Sequence, residues 1–446
     1  MDIAPLTVII GRNNVGKSSL YAPLLMLRQT LDAIQPETAL LGRGSLIDVG
    51  TYRDYVTDHD TSKSLSLSFS IPNELRLRIA KPARIESIFA SADSVSAKLI
   101  KQRVFDNDGK AQVSRSRKVE EKAFDISSPM LPKANTLGRP IKEITLLRKS
   151  LRDEQPSGFL FSGTGGLYLP LSFREDPKRW EKVRDWYNQT STLYEFQSHA
   201  GFLARRTLMG IHYVGPLRQK ALRTYRLTAE PPTTVGPDGQ YAAELLFRRR
   251  EGEIYTTVNR WMNILGYGGL AFEQLGDDFF QASLVNKQND LSVNIAHTGT
   301  GVSQILPILA QGLIAGEDET FITQQPEIHL NPAQQTLVAD FLIERCQRGT
   351  RVILETHSEH MLLRLRRRIA EGELDSKSVR IYFVEEVSPG RSKFREVDID
   401  HVGNIGRDSW PAGFFGELMD DAFALAIAQA RAGKGPQNTP TPGASK

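Results

Sequence analysis

Cysteine is almost absent: Cys346 stands alone among 446 residues. That excludes a disulfide framework and a cysteine-based zinc cluster, and it suits a reducing compartment. No apolar run reaches the ~18 residues that a membrane helix needs, so no span is expected. The amino terminus lacks a basic stretch, and its apolar segment is too short for a secretory signal. The chain therefore reads as cytoplasmic. Charge of one sign is also scarce: 56 Lys and Arg against 52 Asp and Glu leave a net charge of +4. So mild an excess permits a nucleic-acid partner without arguing for one. The 35 Gly and 23 Pro are ordinary counts that exclude a collagen-like chain. The 40% apolar and 24% charged residues are those of a soluble globular protein. Such a length makes about two to four domain-sized units, and no internal repeat is visible.

What is present is an interrupted α/β pattern. Residues 3–10 are apolar and β-branched and run into Gly11-Arg12-Asn13-Asn14-Val15-Gly16-Lys17-Ser18. That reads as a buried strand, a glycine-rich turn and a helix start, with Pro23 expected to kink the helix. Residues 64–79 alternate as two half-buried strands broken at Pro72-Asn73, and Asp106 to Gly109 marks a hairpin within 97–123. From 84 to 207 the alternation fades, which suggests an inserted α+β subdomain between core halves at 1–83 and 208–400. A helical stretch is expected at 241–265. Beyond it, strands at 281–285, 291–295, 320–323, 351–355 and 379–385 alternate with helices at 302–315, 332–347 and 359–371. An extension at 401–431 and a disordered tail at 432–446 complete the expected organisation.

The segment Gly11 to Ser18 satisfies G-x-x-x-x-G-K-[ST] in its strand-to-helix context. Its glycines let backbone N–H groups converge on phosphate oxygens, Lys17 would reach the outer phosphates, and Ser18 would ligate Mg²⁺. A second glycine-containing helix start is His297-Thr298-Gly299-Thr300-Gly301-Val302-Ser303-Gln304. After it come Gln324-Gln325-Pro326-Glu327-Ile328-His329-Leu330-Asn331-Pro332 and, following a strand, Glu355-Thr356-His357-Ser358-Glu359-His360.

In this order the motifs resemble ABC-type ATPase heads, in the overcoming-lysogenization-defect-like and SMC-like branch of bacterial AAA ATPases. Tyr213 to Arg218 and Trp410 to Phe415 resemble a subgroup with a C-terminal domain of unknown function. The resemblance covers roughly 1–80 and 210–416. It implies a P-loop NTPase fold of ABC-head type, with a mixed sheet flanked by helices, and ATP with Mg²⁺ as its ligands. Gly11, Asn13, Asn14, Gly16, Lys17, Ser18 and Ser19 would be the Walker A loop. Gly299 and Gly301 would be the signature element facing the γ-phosphate on the opposite subunit. Asn331-Pro332 would open the D-loop, and His357 would be the switch histidine. It implies a homodimer or higher oligomer closing on nucleotide, in defence or DNA transactions.

The departure from that pattern lies at Gln324 and Gln325, where such heads carry an acidic pair that supports the metal and activates water. Neither amide acts as a base. Gln324 is left as the metal-side candidate beside Ser18, and Gln324, Gln325, Glu327 and His357 as the catalytic candidates, with Glu355 a further substitute. Retained ATP binding with slow turnover is expected. A non-hydrolysing scaffold is one alternative, and a DNA-binding clamp using Arg115 to Lys118, Arg248 to Arg250 or Arg364 to Arg368 is another. His329 is expected to pack structurally. Ser162 to Gly166 reads as a hairpin turn, and Asp398-Ile399-Asp400 as an exposed strand end. With too little chain after Asp400 for a nuclease domain, an effector is expected in trans.

Overall fold

A computed structural model describes residues 1–71, 81–131, 142–161, 176–286, 291–406, 424–425 and 427–429. The second strand expected at 75–79, the turn at Ser162 to Gly166, the Trp410 to Phe415 motif and the tail at 432–446 lie outside them.

The strands are β1 (Leu6–Gly11), β2 (Leu65–Ser70), β3 (Pro82–Ser91), β4 (Ala97–Asp106), β5 (Ala111–Ser116), β6 (Asp125–Ser127), β7 (Ile211–Val214), β8 (Tyr225–Arg226), β9 (Gly269–Leu275), β10 (Phe279–Asn286), β11 (Leu291–Asn294), β12 (Thr320–Gln324), β13 (Arg351–Glu355), β14 (Val379–Ser388) and β15 (Arg391–Val397). They build three sheets. The central one has six strands in the order β15-β14-β1-β13-β12-β7. All its pairings are parallel except β14 with β15. A second sheet runs β2-β3-β4-β5-β6, antiparallel throughout. A third sets β10 between β9 on one side and β8 with β11 on the other.

Period-two alternation on a fully buried sheet divides the core. Leu6, Val8 and Ile10 point to one face, with Phe321, Val352 and Leu354. The helices Thr300–Ile314, Pro332–Gln347 and Glu359–Ala370 cover that face. Ile9, Ile322 and Ile353 point to the other face, toward Leu25 of the Ala22–Thr30 helix and Phe196 and Leu203 of the Pro177–Met209 helix. Phe89, Leu99 and Val104 of the antiparallel sheet join the same cluster. The segment read as an insert thus shares a core with the central sheet. Its sheet also begins at β2, before residue 84.

The regular elements after 279 coincide closely with the sequence pattern. One expectation is overturned: Pro23 does not kink its helix. The helix starts at Ala22, so Pro23 occupies the first turn, where its missing N–H is one the helix leaves unbonded anyway. Asp400 lies beyond β15 in a turn, accepting the Val402 and Asn404 N–H groups at 3.0 and 2.7 Å.

Arg115 ties the layers together. Its side chain, 1% exposed, donates to the Leu151 carbonyl at 2.8 Å and to Gln197 at 2.9 Å, and pairs with Glu154. Removing one partner strands the other charge in the interior. We expect Arg115→Ala to cost about 3–5 kcal/mol in chemical denaturation, and Arg117→Ala, at a residue that bonds the Leu99 and Lys122 carbonyls and Gln155 and has no ion pair among the described residues, to cost much less. Equal losses would contradict this assignment.

Candidate functional site

Parallel strands deliver their carboxyl ends to one edge, where open α/β sheets bind ligands. Register aligns Ile9 of β1 with Glu355 of β13, and Glu355 with Gln324 of β12. The Gly11 loop, the Glu355 carboxylate and the Gln324 amide therefore meet. A Cβ added at Gly11, where φ is +151°, would lie 2.4 Å from the Val384 carbonyl oxygen of β14, so only glycine fits. Asn14 and Gly16 are also left-handed, at φ 63° and 81°. Asn13, Asn14 and Ser19 line the exposed crest. Lys17 is buried, and its Nζ crosses the loop to the Arg12 carbonyl at 2.7 Å. Burial lowers its pKa, against the opposing pull of Glu355 and Glu327.

Ser18 is the node of a hydrogen-bond chain. Its hydroxyl donates to Glu355 Oε2 at 2.9 Å and accepts from Gln324 Nε2 at 3.1 Å. The Tyr213 hydroxyl donates to Gln324 Oε1 at 2.9 Å, and the Tyr21 hydroxyl to Glu355 Oε2 at 2.6 Å. Burial, reinforced by Glu355, raises both phenols, that of Tyr213 to about 12. Behind the β12 tip, Arg218 donates to the carbonyls of Gln324 and Gln325. Burial lowers its pKa to about 10, opposed by Glu327. Gln325 adopts φ 45° with its N–H donated to the Glu355 carbonyl at 2.7 Å.

Glu327 and His357 face the same edge. The His357 N–H donates to Glu327 Oε1 at 2.7 Å, whereas Glu327 Oε2 and His357 Nε2 are buried with no hydrogen-bond partner among the described residues. Burial raises the Glu327 pKa, and burial followed by Lys17 lowers that of His357. Ser358 caps the next helix by accepting from Met361 N–H and donates to Gln335 at 2.6 Å, linking it to the helix that Asn331 caps.

Gly299 and Gly301 are not bonded into this network, although a Cβ at Gly301 would lie 3.4 Å from the His329 carbonyl oxygen. They head the Thr300–Ile314 helix, with Gly299 exposed and no atom near the position of a Cβ. At Gly301 a Cβ would collide with the Tyr267 hydroxyl at 2.3 Å. Among the described residues no hydrogen bond joins 298–304 to the Gly11 loop. His329 does not pack structurally: its side chain is exposed, and only its backbone is constrained, at φ 61°. Tyr21 was missed in the sequence, and Tyr213 and Arg218 appeared there only as part of a resemblance. Nothing local to Tyr21 signals its role; the run Tyr213 to Arg218 before a second sheet did carry a signal.

The basic runs are largely occupied. Arg364 and Arg368 pair with Asp340, Arg367 with Glu371, Arg248 with Glu244, and Arg115 is interior. Arg250 lies over the Phe247 ring.

Residues 147–363 match the family described as "AAA domain, putative AbiEii toxin, Type IV TA system", and 374–425 match "Protein of unknown function (DUF3696)". The chain carries an AAA domain and a DUF3696 segment. The AAA match takes in the Gln324 to Glu327 tip and His357, and starts inside the stretch expected as an insert. The DUF3696 segment supplies β14 and β15, so it lies directly beside the Gly11 loop. No curated protein matches the chain. Among solved structures, similar ones include an SmcHead bound to the C-winged helix domain of ScpA (11% identity, 90% of this chain and 92% of that one, TM-score 0.35). Others are a Pyrococcus furiosus Smc head with an extended coiled coil bound to the C-terminal domain of ScpA (12%, 95% and 93%, TM-score 0.33) and the SMC head domain from Thermotoga maritima (11%, 90% and 93%, TM-score 0.33). At these scores the likeness carries no argument. No helix among the described residues is long and apolar enough to cross a membrane.

The raised Glu327 pKa has a consequence for stability. The folded protein protonates this carboxyl more readily than the unfolded chain does. Stability relative to Glu327→Gln therefore falls as pH climbs from the ordinary carboxylate range through the raised folded value. The melting-temperature gap favouring E327Q should be small near about pH 4 and wider near about pH 7. A gap independent of pH would contradict the shift.

Proposed function

We propose that the Gly11 to Ser19 loop binds ATP with Mg²⁺, hydrolyses it slowly, and uses it to gate a homodimer or higher oligomer. The observation that carries this reading is the convergence of Lys17, Ser18, Gln324, Glu327, Glu355 and His357 on the ends of β1, β12 and β13. The residues suit a magnesium nucleotide. Ser18 keeps one acceptor lone pair, and Glu327 Oε2 and His357 Nε2 are buried with no hydrogen-bond partner among the described residues. No group of three His, Cys, Asp or Glu that could hold a metal gathers among the described residues. A bound Mg²⁺ would neutralise charge on the transferring phosphoryl group.

Within this reading Lys17 and the loop amides bind phosphate. Gln325 orients water by hydrogen bonding but accepts no proton. Glu327, whose pKa burial raises, is in its ionised form the stronger base for that reason, and it is the carboxylate at the β12 tip suited to take a proton from water. His357 Nε2 donates or accepts at the outer phosphate. Gly299 and Gly301, which make no hydrogen bond to the loop among the described residues, complete the site from a partner. The family description naming a toxin of a type IV system supports a defence setting, with an effector in trans. The neutral Gln324-Gln325 pair favours the non-hydrolysing scaffold as the second reading. The ion-paired arginines argue against the DNA clamp.

Phosphate release by wild type should be slow but exceed that of Lys17→Ala, which should also lose ATP binding in calorimetry. Gln325→Glu should raise the rate about tenfold or more. Equal release from wild type and K17A would favour the scaffold. Thr300→Arg, on the exposed helix head, should abolish ATP-dependent mass doubling in light scattering. Doubling that survives the change would place the dimer contact elsewhere.

A further inference from the structure

We propose that Glu355, at the end of β13, supplies the cation-side carboxylate of this site, one strand away from the β12 position where Gln324 stands. This rests on the nucleotide reading above. Gln324 is poorly placed for the task. Its Nε2 donates toward Ser18, and its Oε1 accepts from Tyr213, so the end of the amide facing Ser18 is a donor. A donor repels a cation. Glu355 faces the same hydroxyl with an oxygen, at 2.9 Å. Both residues touch Ser18 because register sets them side by side, Gln324 against Glu355 and Glu355 against Ile9.

The surroundings of Glu355 are built for a fixed acceptor. The residue is 3% exposed. Tyr21, on the chain just past the loop, donates to the same Oε2 at 2.6 Å, which sets the carboxylate plane. No ion pair to Glu355 forms among the described residues, and the nearest ammonium, that of Lys17, is directed to the Arg12 carbonyl. Among the described residues its direct hydrogen bonds come from two neutral hydroxyls, and Lys17 acts on it only through space, so the carboxylate keeps capacity for a further positive charge. Ser18, the expected metal ligand, is the group it bonds. Glu355 is thus a positioning residue: it acts on the cation through Ser18 and bound water, as outer-shell carboxylates do.

The test is calorimetry on the full chain, titrating ATP with Mg²⁺ and ATP with EDTA. Wild type should bind more tightly with Mg²⁺. Glu355→Gln should reduce that Mg²⁺-dependent gain by about 10-fold or more while leaving metal-free ATP affinity within about 3-fold. Returning a carboxylate to β12 should restore the gain, so E355Q with Gln324→Glu should recover it. Loss through mere misfolding would not be rescued in this way. Should E355Q fail to fold, Glu355→Asp, which withdraws the carboxylate from Ser18, should show the same reduced gain. With Mn²⁺ in place of Mg²⁺, the electron paramagnetic resonance signal of the bound ion should weaken in parallel. A full Mg²⁺-dependent gain in E355Q or E355D, or no recovery with Q324E, would overturn the proposal. Wild type that binds ATP in neither condition would overturn the nucleotide reading instead.

Discussion

The site depends on the parallel register of β1, β13 and β12. Strand ends lie about 4.8 Å apart in a sheet, so a hydroxyl just past one strand reaches a carboxylate on the next and an amide on the one beyond. Ser18, Glu355 and Gln324 use that spacing. A slip of one residue would turn Glu355 into the core and Leu354 toward the loop. The alternation of Leu6, Val8 and Ile10 against Ile9 prevents the slip, because both faces of the sheet are buried against separate clusters. The apolar core thus sets the polar geometry.

The same constraint extends to the DUF3696 segment. β14 pairs with β1 on the side away from β13, and its Val384 carbonyl lies where a side chain at Gly11 would go. Ser392 of β15 approaches Gly16. The phosphate loop is therefore clasped between two strands of different sequence families, and neither segment alone forms its walls. On the far face the antiparallel sheet and the Pro177–Met209 helix share the cluster that contains Ile9. A displacement of β1 would be felt in that layer through packed side chains, since dense cores transmit strain.

The loop, the two helix starts and the order of elements after 279 were legible because each has a local cause: glycine spacing, a cap, or an apolar period. Asn331 and Ser358 cap their helices by side-chain bonds that any reader of caps would expect. The antiparallel sheet was only half legible. β2, β4 and β5 show alternation or a turn, whereas β3 carries Arg84 and Glu86 on a partly wet face and loses the pattern. The site was legible to the extent that its residues are sequential. Tyr21, Tyr213 and Arg218 gain their roles from Glu355 and Gln324, more than a hundred residues away in two cases and over three hundred in the third. No spacing rule encodes such partners.

The neutral β12 tip alters the electrostatics more than the shape. Lys17 and Arg218 face Glu355 and Glu327, two charges of each sign if all four are ionised. An acidic pair at 324 and 325 would add two negative charges to the edge proposed here to receive a polyanion. In a partly buried site each such charge acts through a low effective dielectric, so the repulsion is felt strongly. Glutamine removes it and keeps hydrogen bonding, which favours holding a triphosphate. It also removes a proton acceptor, which disfavours turning one over. Arg218 fits this balance: with no carboxylate at 324 or 325 it bonds their carbonyls instead, and so fixes the tip while leaving its charge to Glu327 and to whatever anion the edge receives.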